Sequence, residues 1–155
     1  FAGLVGAGRT EAFEAILGLR ERQGGRIQLA GKAVRIDSPL AAMRQGLTYL
    51  PEDRKGKGLH IDLGLAENLT LMTLARYAHP WLDKGAEQAA LTRAINDFGI
   101  KAGSHSARAR MMSGGNQQKL ALAKLLHPAP RGIVLAEPAH HLTEEELIAY
   151  ATGTH

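Results

Sequence analysis

The beginning of the sequence carries a glycine pattern suited to binding phosphate. Residues 1–5 have the apolar pattern of a buried strand, and the following turn places a cation and a hydroxyl after Gly8. A strand, a glycine loop and a helix are the setting in which backbone N–H groups can surround a phosphate. The candidate nucleotide contacts of this loop are Gly3, Gly6, Ala7, Gly8, Arg9 and Thr10. The Thr10 hydroxyl is also a candidate Mg²⁺ ligand.

One residue of this loop departs from the general motif, which has lysine where this sequence has Arg9. Lysine is a compact charge on a flexible stem, whereas arginine is a wide planar fork. We therefore expect Arg9 to hold phosphate in a geometry that supports little hydrolysis. The alternative for the whole stretch is a glycine-rich turn with no ligand.

A second candidate anion site lies where Ser113, Gly114 and Gly115 precede an apolar-periodic run. That run predicts a helix ending at Pro128, and its apolar positions are Leu120, Leu122, Ala123, Leu125 and Leu126. The first turn of such a helix has unpaired N–H groups and partial positive charge. Glycines let an anion approach that backbone, and the serine hydroxyl adds a donor. A serine cap without any ligand is the alternative.

Composition limits the classes of protein to which this sequence can belong. Its 155 residues suffice for one domain with a core, and no apolar run has the length of a bilayer-spanning helix. The net charge of +4 favours anionic partners such as nucleotides. Aromatic residues are scarce, so we expect no nucleic-acid partner that binds by base stacking. The absence of cysteine permits a cytosolic setting, and the start without methionine or a leader suggests a fragment.

The residues between the two sites alternate strand and helix patterns. Apolar alternation over 27–36 around Gly31 predicts a hairpin, and Ser38 followed by proline predicts a helix start. Residues 47–50 read as a strand and residues 65–77 as an amphipathic helix. Asp83 is a suitable cap for a helix that runs to about Phe98, and Gly99 is a suitable stop for it. The order of these elements predicts the α/β class.

Three segments together resemble one family. Residues 113–119 (SGGNQQK) resemble the ABC signature motif, in the form carried by ATP-binding proteins of bacterial carbohydrate importers of the ribose, xylose and galactose type. Residues 3–11 (GLVGAGRTE) resemble the second cassette of these proteins, in which arginine commonly occupies the lysine position. Residues 49–59 (YLPEDRKGKGL) resemble their segment at the Q-loop position, which places Glu52 near the nucleotide.

The resemblance implies a fold and a set of site residues. The fold is a P-loop NTPase-like ABC nucleotide-binding domain with a helical subdomain, incomplete in its central sheet. The chain would be a single partial domain over 1–155, with a P-loop core and β segment at 1–64, a helical subdomain and signature helix at 65–127, and a C-terminal tail at 131–155. Glu52 and Gln117 join the glycine-loop residues and Ser113, Gly114 and Gly115 as implied nucleotide contacts.

The resemblance also implies a function. The chain would be the second cassette of an ABC-type sugar importer's ATP-binding subunit, coupling ATP binding and hydrolysis at a composite dimer site to uptake. The implied cofactors are ATP and Mg²⁺. The implied partners are a second cassette, membrane permease subunits and, indirectly, a periplasmic sugar-binding protein. The implied location is cytoplasmic, at the inner face of the cell membrane. A non-catalytic, regulatory nucleotide-binding module is the alternative function.

The resemblance weakens after Pro130, where the family pattern has an apolar strand ending in Asp-Glu, the Walker B motif. In one interpretation residues 132–137 are that strand, with Ala136 in place of the aspartate and Glu137 retained as a catalytic candidate. In the other, which we favour, residues 131–155 are the family's C-terminal tail and a central piece is missing. Both interpretations lack the Walker B aspartate, so we expect the chain alone to be inactive. We expect the pair His140-His141 to lie on the surface without a metal.

Overall fold

The computed structural model describes residues 8–50 and 58–135. Helices and strands are mixed along the chain, as expected of the α/β class. The helices are α1 (Arg9–Ile16), α2 (Pro39–Arg44), α3 (Leu65–Thr70), α4 (Lys84–Asp97) and α5 (Gly114–Leu126), with 3₁₀ segments at Leu71–Arg76 and Ala109–Met111. The strands are β1 (Ile27–Leu29), β2 (Lys32–Val34), β3 (Leu47–Leu50) and β4 (Gly132–Leu135).

The strands form two separate pairs. β1 and β2 are antiparallel around the turn at Ala30 and Gly31, which confirms the predicted hairpin. β3 and β4 are parallel, with Leu47 opposite Gly132 and Leu50 opposite Leu135. Between them the chain passes through α3, α4 and α5, and α5 packs against both α3 and β3. The helical region is therefore an insertion between two neighbouring parallel strands.

The helical region has its own apolar core. Leu65, Leu91 and Leu120, one from each of α3, α4 and α5, have no exposed surface. Other buried members of the cluster are Leu59, Ala66, Leu69, Ala90, Ala94, Ile100, Ala109, Ala121 and Ala123. A smaller cluster under the hairpin and α2 comprises Leu17, Ile36, Ala42 and Leu47. Of the apolar positions predicted for α5, Leu120, Leu122, Ala123 and Leu125 are buried and Leu126 is half-buried. Ala121 and Lys124 are buried as well, so this part of α5 is covered on every side and not on one face alone.

The predicted helix boundaries are confirmed at three starts and stops. The Ser38 hydroxyl accepts a hydrogen bond from the Ala41 N–H at 3.2 Å, and Pro39 is the first helical residue of α2. The Asp83 carboxylate caps α4 by accepting from the Ala86 N–H at 2.9 Å. Gly99, with φ +56°, follows the end of α4, a conformation that favours glycine.

The predicted single helix over 65–77 is wrong in one respect, because the α-helix stops at Thr70 and continues as a 3₁₀ segment. Thr73 has non-helical dihedrals, with φ −124° and ψ 23°, and its hydroxyl donates to the Thr70 carbonyl at 3.2 Å. The Thr70 hydroxyl in turn bonds to the buried carboxylate of Glu87 on α4. Threonine hydroxyls compete with backbone donors for helix carbonyls, which explains the break.

Across residues 8–50 and 58–135, every helix is too short or too polar to traverse a lipid bilayer.

Candidate functional site

The glycine loop is described only at its last residues. Gly8 precedes α1 with φ +74°, a left-handed conformation, and a β-carbon added there would meet nothing within 4 Å. Arg9 is the first residue of α1, and Thr10 is half-buried in its first turn. The predicted contacts Gly3, Gly6, Ala7 and Glu52 lie outside the described residues, as does the catalytic candidate Glu137. The helix that the glycine pattern predicts after the loop is confirmed.

The second predicted site is fully described and lies at the start of α5. Ser113 is the residue before the helix, with extended dihedrals of φ −63° and ψ 155°, and its hydroxyl does not cap the helix. Ser113, Gly114 and Gly115 are all exposed. A β-carbon on either glycine would meet no atom within 4 Å, so the space above the first turn is open. Backbone N–H groups of this turn can therefore be reached by an anion from outside.

Asn116 holds the Ser113 hydroxyl, and sequence reasoning did not identify it as part of the site. Its Nδ2 donates to Ser113 Oγ at 2.9 Å, and its Oδ1 accepts from the Lys101 N–H at 2.8 Å. The spacing of Ser113 and Asn116 is that of a capping box, which was the available signal. The observed bond joins the two side chains instead of a side chain and the backbone.

The side chain of Gln117 bonds to the segment that precedes α5. Its Nε2 donates to the Ala109 carbonyl at 3.0 Å, which ties α5 to the 3₁₀ segment before it. The first turn of α5 is thus bonded to the 3₁₀ segment that precedes the predicted signature. Lys119 makes a similar tie, because its Nζ donates to the Gly99 carbonyl at 2.9 Å at the end of α4.

Two buried polar side chains fix the segment that follows residues 51–57. Asn68 of α3 has no exposed surface; its Oδ1 accepts from the His60 N–H and its Nδ2 donates to the His60 and Gly64 carbonyls, each at 2.9 Å. Lys124 of α5 donates to the Gly58 carbonyl at 2.9 Å, and burial lowers the pKa of its amine. The backbone leading from the predicted Q-loop position is therefore attached to both α3 and α5.

The far end of α5 carries a partly buried histidine. His127 Nε2 and the Tyr77 hydroxyl are 2.7 Å apart, and the two rings stack with centroids 5.8 Å apart. Burial lowers the pKa of the imidazole, and the charges of Arg76 and Arg93 lower this pKa further. The folded chain therefore favours the neutral ring.

This preference predicts acid sensitivity that His127→Phe removes. The stabilising contribution is complete above the ordinary pKa of 6.5 and is lost as pH falls through 6.5 toward the folded pKa, because the unfolded chain takes up the proton more readily. Phenylalanine keeps the stack on Tyr77 and cannot titrate. Urea unfolding at about pH 7.5 and about pH 5.5 should show a smaller loss in the variant than in the native chain. Equal losses would contradict the role given to His127.

The predicted Mg²⁺ ligand, the Thr10 hydroxyl, lies within the described part of the chain. Across the same residues there is no group of three His, Cys, Asp or Glu side chains that could hold an ion. A single hydroxyl ligand suits Mg²⁺ that is held mainly by phosphate oxygens and water.

Comparison with known proteins identifies the family of this chain. The family model described as ABC transporter matches residues 1–140. Xylose import ATP-binding protein XylG of Ralstonia nicotianae is 42% identical over 139 residues, covering 88% of this chain and 27% of that protein. Ribose import ATP-binding protein RbsA of Caldanaerobacter subterraneus is 41% identical over 140 residues, covering 89% and 28%. The chain thus spans little more than a quarter of the length of these curated relatives.

Solved structures with the same fold include cbiO1 from Clostridium perfringens, part of the ABC transporter complex cbiONQ. Its TM-score is 0.64 at 18% sequence identity, and the match covers 94% of this chain and 56% of that chain. The ATP-binding cassette MJ0796, a dimer bound to ADP and Pi, has a TM-score of 0.69 at 18% sequence identity. This match covers 96% of this chain and 63% of that chain. The likeness shows an incomplete ABC nucleotide-binding fold. The insertion of helices between parallel strands, the open start of α5 and the family match agree: the chain belongs to the ABC transporter family.

Proposed function

We propose that the chain is part of an ATP-binding subunit of a bacterial sugar importer and corresponds to its second cassette. The import proteins to which it is about 40% identical support the sugar class, and Arg9 at the lysine position supports the second cassette. In this proposal ATP binding and hydrolysis at a composite site between two cassettes are coupled to uptake.

The observation that carries this proposal is the open start of α5. Ser113, Gly114 and Gly115 are exposed. A β-carbon added at either glycine would have no neighbouring side chain or other segment within 4 Å. The helix that they begin is 13 residues long. A phosphate fits such a site, since it can meet the unpaired N–H groups and the positive end of the helix dipole. ATP would supply that phosphate, held between this helix start and the glycine loop of the partner cassette.

The two sites of the pair would then be unequal. The signature of this chain, which begins at Ser113, completes the partner's site, whereas the glycine loop ending at Thr10 belongs to the site with Arg9. Thr10 would offer its hydroxyl to Mg²⁺ there. Arginine binds phosphate as a planar fork, so we propose that this second site binds nucleotide with little turnover.

Of the two interpretations of residues 132–137, the parallel pairing of β3 with β4 supports the one in which they form the Walker B strand. The strand that leads to the Q-loop position and the strand that leads to Glu137 then lie side by side, with their carboxyl ends at one edge. The family match, which extends to residue 140, supports it as well. Ala136 would leave this site without its Mg²⁺-binding aspartate. The division into 1–64 and 65–127 stays a prediction, and the tail at 131–155 belongs to the other interpretation.

The partners in this proposal are a second cassette and membrane permease subunits, with a periplasmic sugar-binding protein acting through the permease. The location that follows is the cytoplasmic face of the cell membrane. Exposed apolar side chains of the helical region, such as Leu74 at 42% and Trp81 at 85%, are available for contact with a partner.

Co-purification separates this proposal from the regulatory alternative. We expect the complete ATP-binding subunit to be captured by its permease and to hydrolyse ATP only with both cassettes present. Nucleotide binding without any permease capture would favour a regulatory module instead. Hydrolysis by the 155-residue chain alone would contradict the unequal-site proposal.

A further inference from the structure

The side chain of Asn116 joins two backbone regions at the start of α5. Its Oδ1 accepts from the Lys101 N–H at 2.8 Å, and its Nδ2 donates to Ser113 Oγ at 2.9 Å. Lys101 belongs to the loop after α4, and Ser113 is the residue before α5. The amide therefore links that loop directly to the Ser113 hydroxyl.

The first of these bonds decides which way the amide faces. A backbone N–H can only donate, so the group of Asn116 that meets Lys101 must be its oxygen. The NH₂ group must then face Ser113. Since an NH₂ group can only donate, the Ser113 hydroxyl is the acceptor in that bond, and its own hydrogen is left to donate elsewhere.

The loop that sets this orientation is itself attached to α5. Lys119 Nζ donates to the Gly99 carbonyl at 2.9 Å, two residues before Lys101. Gly99 has φ +56°, a conformation that favours glycine and turns the chain out of α4. The Lys101 N–H is thereby held near the first turn of α5, and the rotamer of Asn116 is fixed from both ends.

The Ser113 hydroxyl is also not needed for the helix. In a capping box the hydroxyl would accept from a backbone N–H of the first turn, but Ser113 makes no such bond. The neighbouring Gly114 and Gly115 are exposed and have open space above them, so an acceptor can reach the hydroxyl from there.

We infer that Asn116 is a positioning residue that sets the polarity of the Ser113 hydroxyl, so that its O–H donates to a phosphate oxygen of ATP. This inference rests on the proposed function, since it needs a phosphate at the start of α5. It assigns to Asn116 an action through Ser113 and no direct contact with the nucleotide.

The test is a double-mutant cycle in the complete ATP-binding subunit, with the ATP concentration for half-maximal cassette association as the readout. Asn116→Ala should raise that concentration about three- to tenfold, the range for loss of a neutral hydrogen bond. Asn116→Asp should raise it more than about tenfold, because its second oxygen accepts the Ser113 hydrogen and its charge repels phosphate. In a Ser113→Ala background, Asn116→Ala should add less than about twofold.

A second readout needs no nucleotide. Ser113→Ala should shift the side-chain NH₂ resonances of Asn116 in NMR spectra of the 155-residue chain. Unchanged resonances, or effects of the two alanine variants that multiply in full, would overturn the inference alone. If Ser113→Ala leaves ATP-driven association unaltered while the resonances shift, the hydrogen bond exists but the proposed function fails, and the inference fails with it.

Discussion

Gly115→Ala should reduce ATP hydrolysis by the assembled cassettes roughly a hundredfold, the loss typical for disturbing one preorganised backbone donor. The added methyl would occupy the open space over the first turn of α5, which the proposed phosphate must enter. Within the chain this methyl meets no atom within 4 Å. Alanine also favours helix over glycine, so the free energy of unfolding should stay equal or rise by about 0.5 kcal/mol.

Gly24→Ala is the matched control, because Gly24 is also exposed and open and lies in the turn before β1. It should leave hydrolysis unchanged, and the free energy of unfolding should stay equal or rise by about 0.5 kcal/mol, as for Gly115→Ala. Steady-state hydrolysis and urea unfolding of the two variants are the measurements. If Gly115→Ala hydrolyses ATP at the native rate, phosphate does not approach the start of α5.

Leu120→Ala should have the largest effect on stability, a loss of about 2–5 kcal/mol in the free energy of unfolding. Leu120 has no exposed surface and packs in the core that α3, α4 and α5 share. Its truncation removes apolar contacts and leaves a cavity that the surrounding helices fill only in part. The free energy of unfolding of a whole domain is about 5–15 kcal/mol, so this loss would remove a large share of the stability of the chain.

Leu74→Ala is the control, since the same atoms are removed from a side chain that is 42% exposed in the first 3₁₀ segment. We expect it to cost less than about 1 kcal/mol. The measurement is the urea midpoint of both variants at equal slope. Equal losses would mean that the helical region does not pack around α5.

Local sequence signals predict most of the fold. The hairpin turn, the Ser38 and Asp83 caps and the stop at Gly99 act within a few residues, so their patterns are sufficient. The bond between Thr70 and Glu87, which joins α3 to α4, connects residues far apart in sequence, and no local pattern contains it. The pairing of β3 with β4 joins strands that are separated by the whole helical insertion, so local patterns do not predict it either.

In the candidate site, too, local patterns predict some residues, whereas others depend on contacts between distant segments. Ser113, Gly114 and Gly115 are recognisable from residue type and order, and the structure exposes all of them at a helix start. Asn116 was missed because its role depends on Lys101, which approaches only after α4 and α5 pack. Gln117 was predicted as a nucleotide contact, and the structure adds a bond to Ala109 that sequence spacing does not reveal. Side chains that act through a distant backbone group leave little trace in a single sequence.

The central claim is that a nucleotide phosphate meets the first turn of α5. ATP carrying a photoreactive group on its γ-phosphate tests this most directly, with labelled peptides mapped by mass spectrometry. With both cassettes present, we predict labelling within residues 113–117 and its loss in Gly115→Ala. Labelling that never reaches the start of α5, while ATP is demonstrably bound, would contradict the account.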